Sequence, residues 1–283
     1  MKSEYPENND SNSSLFLRCA ELISRSTGLL ISAGAGMGVD SGLPDFRGPE
    51  GFWRVYPPLR HLGLRFEEIA SPSSFVRTPG LAWGFYGHRL QQYREVVPHR
   101  GFHILQEIAA QMPDGAFVFT SNVDGQFQKA GFAKDKVCEV HGSIHHLQCI
   151  TPCSDHIWSA DEFTPEVDMN ACQLTNPWPQ CPKCGNLARP NILMFGDWDW
   201  VGWRSGQQEA RFSDWCRNAS SPVVIEIGAG NSVPTVRMMG EYSGFPLIRI
   251  NLRDPEVSGS NRIGVPMKAL PALEGIQRAL ECC

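Results

Sequence analysis

Between Ser32 and Gly48 the chain reads Ser-Ala-Gly-Ala-Gly-Met-Gly-Val-Asp-Ser-Gly-Leu-Pro-Asp-Phe-Arg-Gly. The small residues Ala33, Gly34, Ala35 and Gly36 let the backbone turn sharply and come close to a ligand. An apolar strand that ends in such a turn and opens a helix aims N–H groups at a phosphate. By itself a Gly-Ala-Gly turn does not specify a dinucleotide. The segment after it is more unusual. Asp45, Phe46 and Arg47 place a carboxylate, an aromatic ring and a guanidinium side by side, and Gly42, Pro44 and Gly48 keep that stretch from being regular helix.

Four more groups of residues could do chemistry. Thr120-Ser121-Asn122-Val123-Asp124 follows an apolar run, as polar residues at the ligand crevice of an open α/β sheet would; equally, Asn122 and Asp124 could cap the next helix. His141, in Val140-His141-Gly142-Ser143, has the near-neutral basicity that suits a general base. Nearby His145 and His146 read as surface or zinc-module residues. Cys149 and Cys153 form one thiol pair, Cys181 and Cys184 another. Their spacings are compatible with a tetrahedral four-thiolate zinc, which leaves no open position and is therefore structural. Cys172 lies between the pairs as a spare thiol. Tyr86 and Arg89, three residues apart on an expected helix, share a face; such a pair is ordinarily a surface pair.

These groups need elements to hold them. Leu15 to Ser26 has apolar residues at helical spacing, and 28–32 reads as a buried strand. Residues 51–98, rich in aromatics and prolines, read as a small helical insert. A helix is expected over 101–111, and strands over 116–120, 137–140, 223–227 and 247–251, with a last helix over 269–280. The stretch 149–185 reads as irregular. Strands alternating with helices imply a doubly wound parallel sheet. The expected organisation is a tail at 1–14, a Rossmann-like domain from 15–50, 99–144 and 188–283, the helical insert at 51–98, and a zinc-binding module at 145–187.

Composition bounds the rest. The chain has 283 residues, 42% of them hydrophobic and 19% charged, with a net charge of −5. It is long enough for a large core, and nothing suggests electrostatic capture of nucleic acid. No apolar run approaches the roughly 20 residues a membrane helix needs. The polar N-terminus lacks the apolar core of a signal peptide. Clustered cysteines then suggest metal in a reducing compartment, so a cytoplasmic protein is expected.

Taken in order, these motifs resemble those of the sirtuin (Sir2) family, NAD-dependent protein-lysine deacylases. The resemblance runs from about residue 15 to 280 and implies a Rossmann-like doubly wound sheet with a smaller lobe, built from the zinc module and the helical insert, and a cleft between them. It implies NAD as cofactor, one structural zinc ion, and acylated-lysine proteins as substrates. The diphosphate would lie at the 33–36 turn and Arg47. Asn122 would position the ribose and a water, Asp124 would hold the nicotinamide carboxamide, and Asn251 would bind the adenosine ribose. Asp45 would hold the loop and nicotinamide, with Phe46 shielding the reactive carbon. His141 would be the general base. Arg189-Pro190-Asn191-Ile192-Leu193-Met194-Phe195-Gly196-Asp197 resembles the segment that pairs with a substrate peptide, so Leu193, Phe195 and Gly196 would bind substrate opposite 231–234. Trp83 to Arg89 resembles the Tyr-x-x-Arg class, in which Tyr86 and Arg89 would bind the carboxylate of succinyl- or malonyl-lysine. Two departures stand out. Ser121 replaces a Gln, and Gly228-Ala229-Gly230 replaces a Gly-Thr-Ser turn, removing two hydroxyls from the cofactor side. NAD hydrolysis, ADP-ribosyl transfer and a non-catalytic NAD-sensing role remain alternatives for the same site.

Overall fold

A computed structural model describes residues 9–45 and 48–282. Phe46 and Arg47 lie outside the described residues, as does most of the expected tail. The described residues begin with α1 (Asn9–Ser24), so residues 9–14 are helical rather than tail. Next come β1 (Gly28–Ala33), a 3-10 turn over Ala35–Ser41, and five helices: α2 (Gly48–Val55), α3 (Pro57–His61), α4 (Phe66–Ile69), α5 (Pro72–Arg77) and α6 (Pro79–Glu95). Then α7 (Arg100–Ala110), β2 (Ala116–Thr120), α8 (Gln126–Lys129) and β3 (Val137–Glu139) return to the main sheet. The excursion that follows comprises β4 (Gly142–Cys149), β5 (Ile157–Ser159), β6 (Val167–Asp168), β7 (Gln173–Leu174) and β8 (Ala188–Ile192). The chain closes with α9 (Trp203–Asn218), β9 (Pro222–Ile227), α10 (Thr235–Tyr242), β10 (Leu247–Ile250), β11 (Arg262–Val265) and α11 (Ala269–Leu280).

The main sheet has six strands in the order β11-β10-β9-β1-β2-β3, all parallel. Central strands of such a sheet are covered on both faces and read as near-continuous apolar runs. The sequences Gly-Leu-Leu-Ile-Ser-Ala and Pro-Val-Val-Ile-Glu-Ile of β1 and β9 are buried at every position. Alternation decides the faces. Leu29, Ile31, Val223, Ile225 and Ile248 pack with residues of α1, α7 and α11, while Leu30, Val224 and Leu247 pack with residues of α9 and α10. The strand order reverses direction about β1, which places a crevice at the carboxyl ends of β1, β2 and β9.

The smaller lobe has its own core. Its antiparallel sheet, β5-β4-β8, packs with α6 and the β6–β7 hairpin around Trp83, Phe85, Ile144 and Leu147. The stretch 149–185 is thus not wholly irregular. Trp83 donates its indole N–H to the Ala188 carbonyl at 3.0 Å, tying α6 to β8. Contact is close enough that a Cβ on Gly84 would stand 2.0 Å from the Cys172 carbonyl oxygen. Cys172 is buried in this core and takes no part in the thiol cluster.

The elements unforeseen in the sequence include the small-lobe strands β4 to β7 and, in the main domain, α9, α10 and β11. The apolar signal of α9 is weak because only Ser205, Gln208 and Trp215 are buried along its 16 residues.

Candidate active site

The carboxyl ends of β1, β2 and β9 meet on one cleft of about 910 Å³, which also reaches α6 and the 192–195 segment. The strand ends are laced together. The Thr120 hydroxyl donates to the Ala33 carbonyl at 2.8 Å and accepts the Asn122 N–H at 3.0 Å. The Asn122 amide donates to the Gly34 carbonyl at 3.0 Å, fixing that side chain at the cleft wall. Opposite, Gly36 donates to the Gly228 carbonyl at 3.1 Å. A Cβ on Gly36 would stand 2.6 Å from the Gly228 Cα, and one on Gly228 2.3 Å from the Gly36 Cα. These glycines are therefore required by backbone meeting backbone, and Gly228 also has φ +60°.

Among the expected cofactor residues, Gly34, Ala35, Asp45, Ser121, Asn122, Asp124, Gly228, Ala229 and Gly230 line the cleft. Ala33, Gly36 and Asn251 lie behind its wall. Asn251 is buried, donates to the Ala229 carbonyl at 2.8 Å, and accepts from the Arg253 and Asp254 N–H groups at 3.1 Å each. Its side chain shapes the turns at 229 and 253 and is spent on the protein's own backbone. No residue-type signal separates this from direct contact.

His141 lines the cleft just past β3. Burial lowers its basicity, and a hydrogen bond to the Ser121 carbonyl partly restores it. The ring is thus held neutral near pH 7 and able to take a proton. Its backbone carbonyl accepts the Leu193 N–H at 2.9 Å, which sets the height of the 193–195 segment against the base. Asp124 is 8% exposed. Burial pushes its carboxyl up to about 6; nearby Glu139 adds to this, while the Gln126 N–H and Arg89 oppose it.

On the other side, Leu193 and Phe195 line the cleft and Gly196 does not. The Asp197 carboxylate, wholly buried, pairs with the Arg189 guanidinium at 2.8 Å and accepts the Met194 N–H at 3.3 Å. The Asp197 carboxylate thereby closes this loop. Tyr86 and Arg89 both line the cleft and are not a surface pair. The Arg89 guanidinium donates through Nε to the Tyr93 hydroxyl at 2.9 Å, and through Nη2 to the same oxygen. It also lies over the rings of Phe85, Tyr86 and Tyr93, at 5.2, 5.9 and 5.3 Å. Burial pushes the Tyr86 phenol up to about 12, so it remains a donor. Tyr93 went unnoticed in the sequence, although its place one helical turn after Arg89 was a usable signal.

The sulfurs of Cys149, Cys153, Cys181 and Cys184 lie within 4.8 Å of one another, with Cys149–Cys184 at 3.7 Å and Cys153–Cys181 at 3.6 Å. A tetrahedral zinc with bonds of about 2.3 Å spaces its sulfurs roughly 3.8 Å apart. The thiols fit one structural zinc ion.

A protein-family model described as the Sir2 family matches residues 34–211. An NAD-dependent protein deacylase 2 from Pyrobaculum aerophilum is 35% identical over 246 residues, covering 86% of this chain and 86% of that protein. An NAD-dependent protein deacylase from Pyrococcus furiosus is 35% identical over 178 residues, covering 63% of this chain and 64% of that protein, just under two thirds of its length. A solved Sir2 homologue–NAD complex superposes with a TM-score of 0.69 at 23% identity, covering 99% of this chain and 97% of that one. At that identity the likeness speaks for the fold.

Proposed function

The chain belongs to the Sir2 family, and from that premise we propose that it removes acyl groups from protein lysines at the expense of NAD. The observation that carries this reading is the convergence of Asn122, Asp124 and His141 on one cleft, with glycine turns on one side and an extended segment, 192–195, on the other. The cleft suits the cofactor in size and in donor chemistry. The turns at 34–35 and 228–230 allow close backbone approach for a diphosphate, and Asp124 offers a deep carboxyl to an amide. Bound NAD supplies an anomeric carbon that carries nicotinamide as leaving group.

The chain's own residues then divide the work. Asp124 grips the carboxamide of nicotinamide, and Asn122 orients the ribose. Leu193 and Phe195, which line the cleft together with Asn231 to Val233, hold the acyl-lysine peptide as an added strand. His141 accepts a proton from a ribose hydroxyl. One water is consumed, and the products are free lysine, nicotinamide and O-acyl-ADP-ribose. Phe46 and Arg47 keep the shielding and diphosphate roles that the family resemblance implies. The clustered thiols favour a reducing, cytoplasmic setting, and no helix among the described residues is long and apolar enough to cross a membrane.

Nicotinamide release by zinc-loaded protein tests this, run without peptide, with acetyl-lysine peptide and with succinyl-lysine peptide. Release that requires an acylated peptide, and that falls at least about 100-fold in His141→Ala while NAD still binds, is the expected result. Release indifferent to peptide would make the protein an NAD hydrolase or ADP-ribosyltransferase.

A second, narrower reading concerns the acyl group. A guanidinium and a phenol lining an otherwise aromatic pocket favour an acyl chain ending in a carboxylate. Succinyl and malonyl peptides are then preferred over acetyl.

A further inference from the structure

The cleft turn Asn122–Gly125 is gripped from behind by a strand of the other lobe. Between Ser143 and Leu147 the pairing of β4 with β8 slips, so β4 bulges away from its partner there. Bulges re-aim the residues they contain, and two of the three residues released from β8, Ile144 and His145, turn to the cleft turn. The Ile144 N–H donates to the Val123 carbonyl at 3.0 Å. The His145 ring reaches the next carbonyl, that of Asp124, with Nε2 at 2.9 Å. Because a carbonyl only accepts, that nitrogen carries the hydrogen. The Cδ2–Nε2 edge of the ring also lies against Gly125, whose φ is +69° and where a Cβ would stand 2.8 Å from the ring. The same strand ends at Cys149, a thiol of the zinc cluster. Glu139, Arg94 and Asp161 are the charged groups around the imidazole, and burial keeps it neutral.

We propose that His145 is a positioning residue: its Nε2–H holds the Asp124 carbonyl, and so aims the Asp124 carboxyl at the nicotinamide end of the cleft. This rests on the NAD-binding reading above. It also makes the small lobe's β4 a structural link between the zinc site and nicotinamide recognition.

The test separates nicotinamide from the rest of the cofactor. Calorimetric titrations of the zinc-loaded full chain with NAD and with ADP-ribose compare wild type with three variants. His145→Phe keeps a ring without the donor. His145→Asn has a donor too short to reach. His145→Gln places an amide N–H where Nε2 stood. The expected result is an NAD dissociation constant raised about tenfold in the Phe and Asn variants, ADP-ribose affinity within about twofold of wild type in all, and near-wild-type NAD affinity with Gln. Should the Phe variant fail to fold, the Asn and Gln pair still decides. Equal loss of both ligands, unchanged NAD affinity, or a Gln variant as weak as Asn would overturn the role of His145. Wild-type protein that binds neither ligand would instead overturn the NAD reading, and the proposal with it.

Discussion

Asp124 is held where a carboxylate is least comfortable. Its carboxyl is raised from 3.8 to about 6 by burial, so the folded state holds this proton more tightly than the unfolded chain. Stability from this group is therefore fully present below about pH 4 and is lost as pH rises through 6. Two units correspond to about 2–3 kcal/mol. Asp124→Asn should accordingly melt no lower than wild type at pH 8, while its NAD affinity falls; a variant clearly less stable at pH 8 would show the carboxylate to be favourable in the fold. On the acyl side, Arg89→Met with Tyr86→Phe should cut succinyl-peptide turnover about 10–100-fold, as the loss of a buried charge-assisted contact implies. Acetyl-peptide turnover should change little, and equal losses on both peptides would remove the acyl-carboxylate role.

At the scale of elements, β3 is the edge of the main sheet and needs partners for its open side. Helix α9 supplies them with side chains. Gln208 accepts the Glu139 N–H at 3.0 Å, Ser205 donates to the Glu139 carbonyl at 2.9 Å, and Arg204 pairs with the buried Glu139 carboxylate at 2.6 Å. This clamp lies two residues before His141. Arg204→Met would strand a carboxylate that is 1% exposed and should cost about 3 kcal/mol in urea unfolding. Adding Glu139→Gln should recover much of the loss; a double variant no better than the single would mean that the pair is not the reason. Turn glycines behave differently. Gly228→Ala forces Cβ to within 2.3 Å of the Gly36 backbone and should destabilise by at least about 1–3 kcal/mol. Such glycines were legible in the sequence as a ligand turn, but half of their purpose is to let two turns interlock. Helix α9 was not legible because polar residues reaching a strand edge leave no apolar period.

Taken whole, the molecule is a parallel sheet with an excursion that returns between β3 and α9, and the zinc cluster sits in that excursion. Chelation, or Cys184→Ser, should remove one zinc per chain, a stoichiometry set by the four clustered thiols, and abolish peptide-dependent nicotinamide release. The helical far-UV signal of the main sheet's helices should largely survive. Simultaneous loss of all structure would show that the sheet depends on the metal. The sequence by itself determined the strands of the sheet's centre, because strands buried on both faces are near-continuous apolar runs. It also determined the strand-end motifs and the four thiols, because turn geometry and metal ligation each demand particular residue types at short spacing. Tertiary structure alone decided that Asn251 spends its side chain on the protein's own backbone and that His145 leaves the surface to hold the Asp124 turn. Those outcomes depend on which polar atoms meet across elements 22 residues apart in one case, Asn251 to Ala229, and 21 in another, His145 to Asp124. A hydrogen bond between such distant partners leaves no periodic trace in the chain.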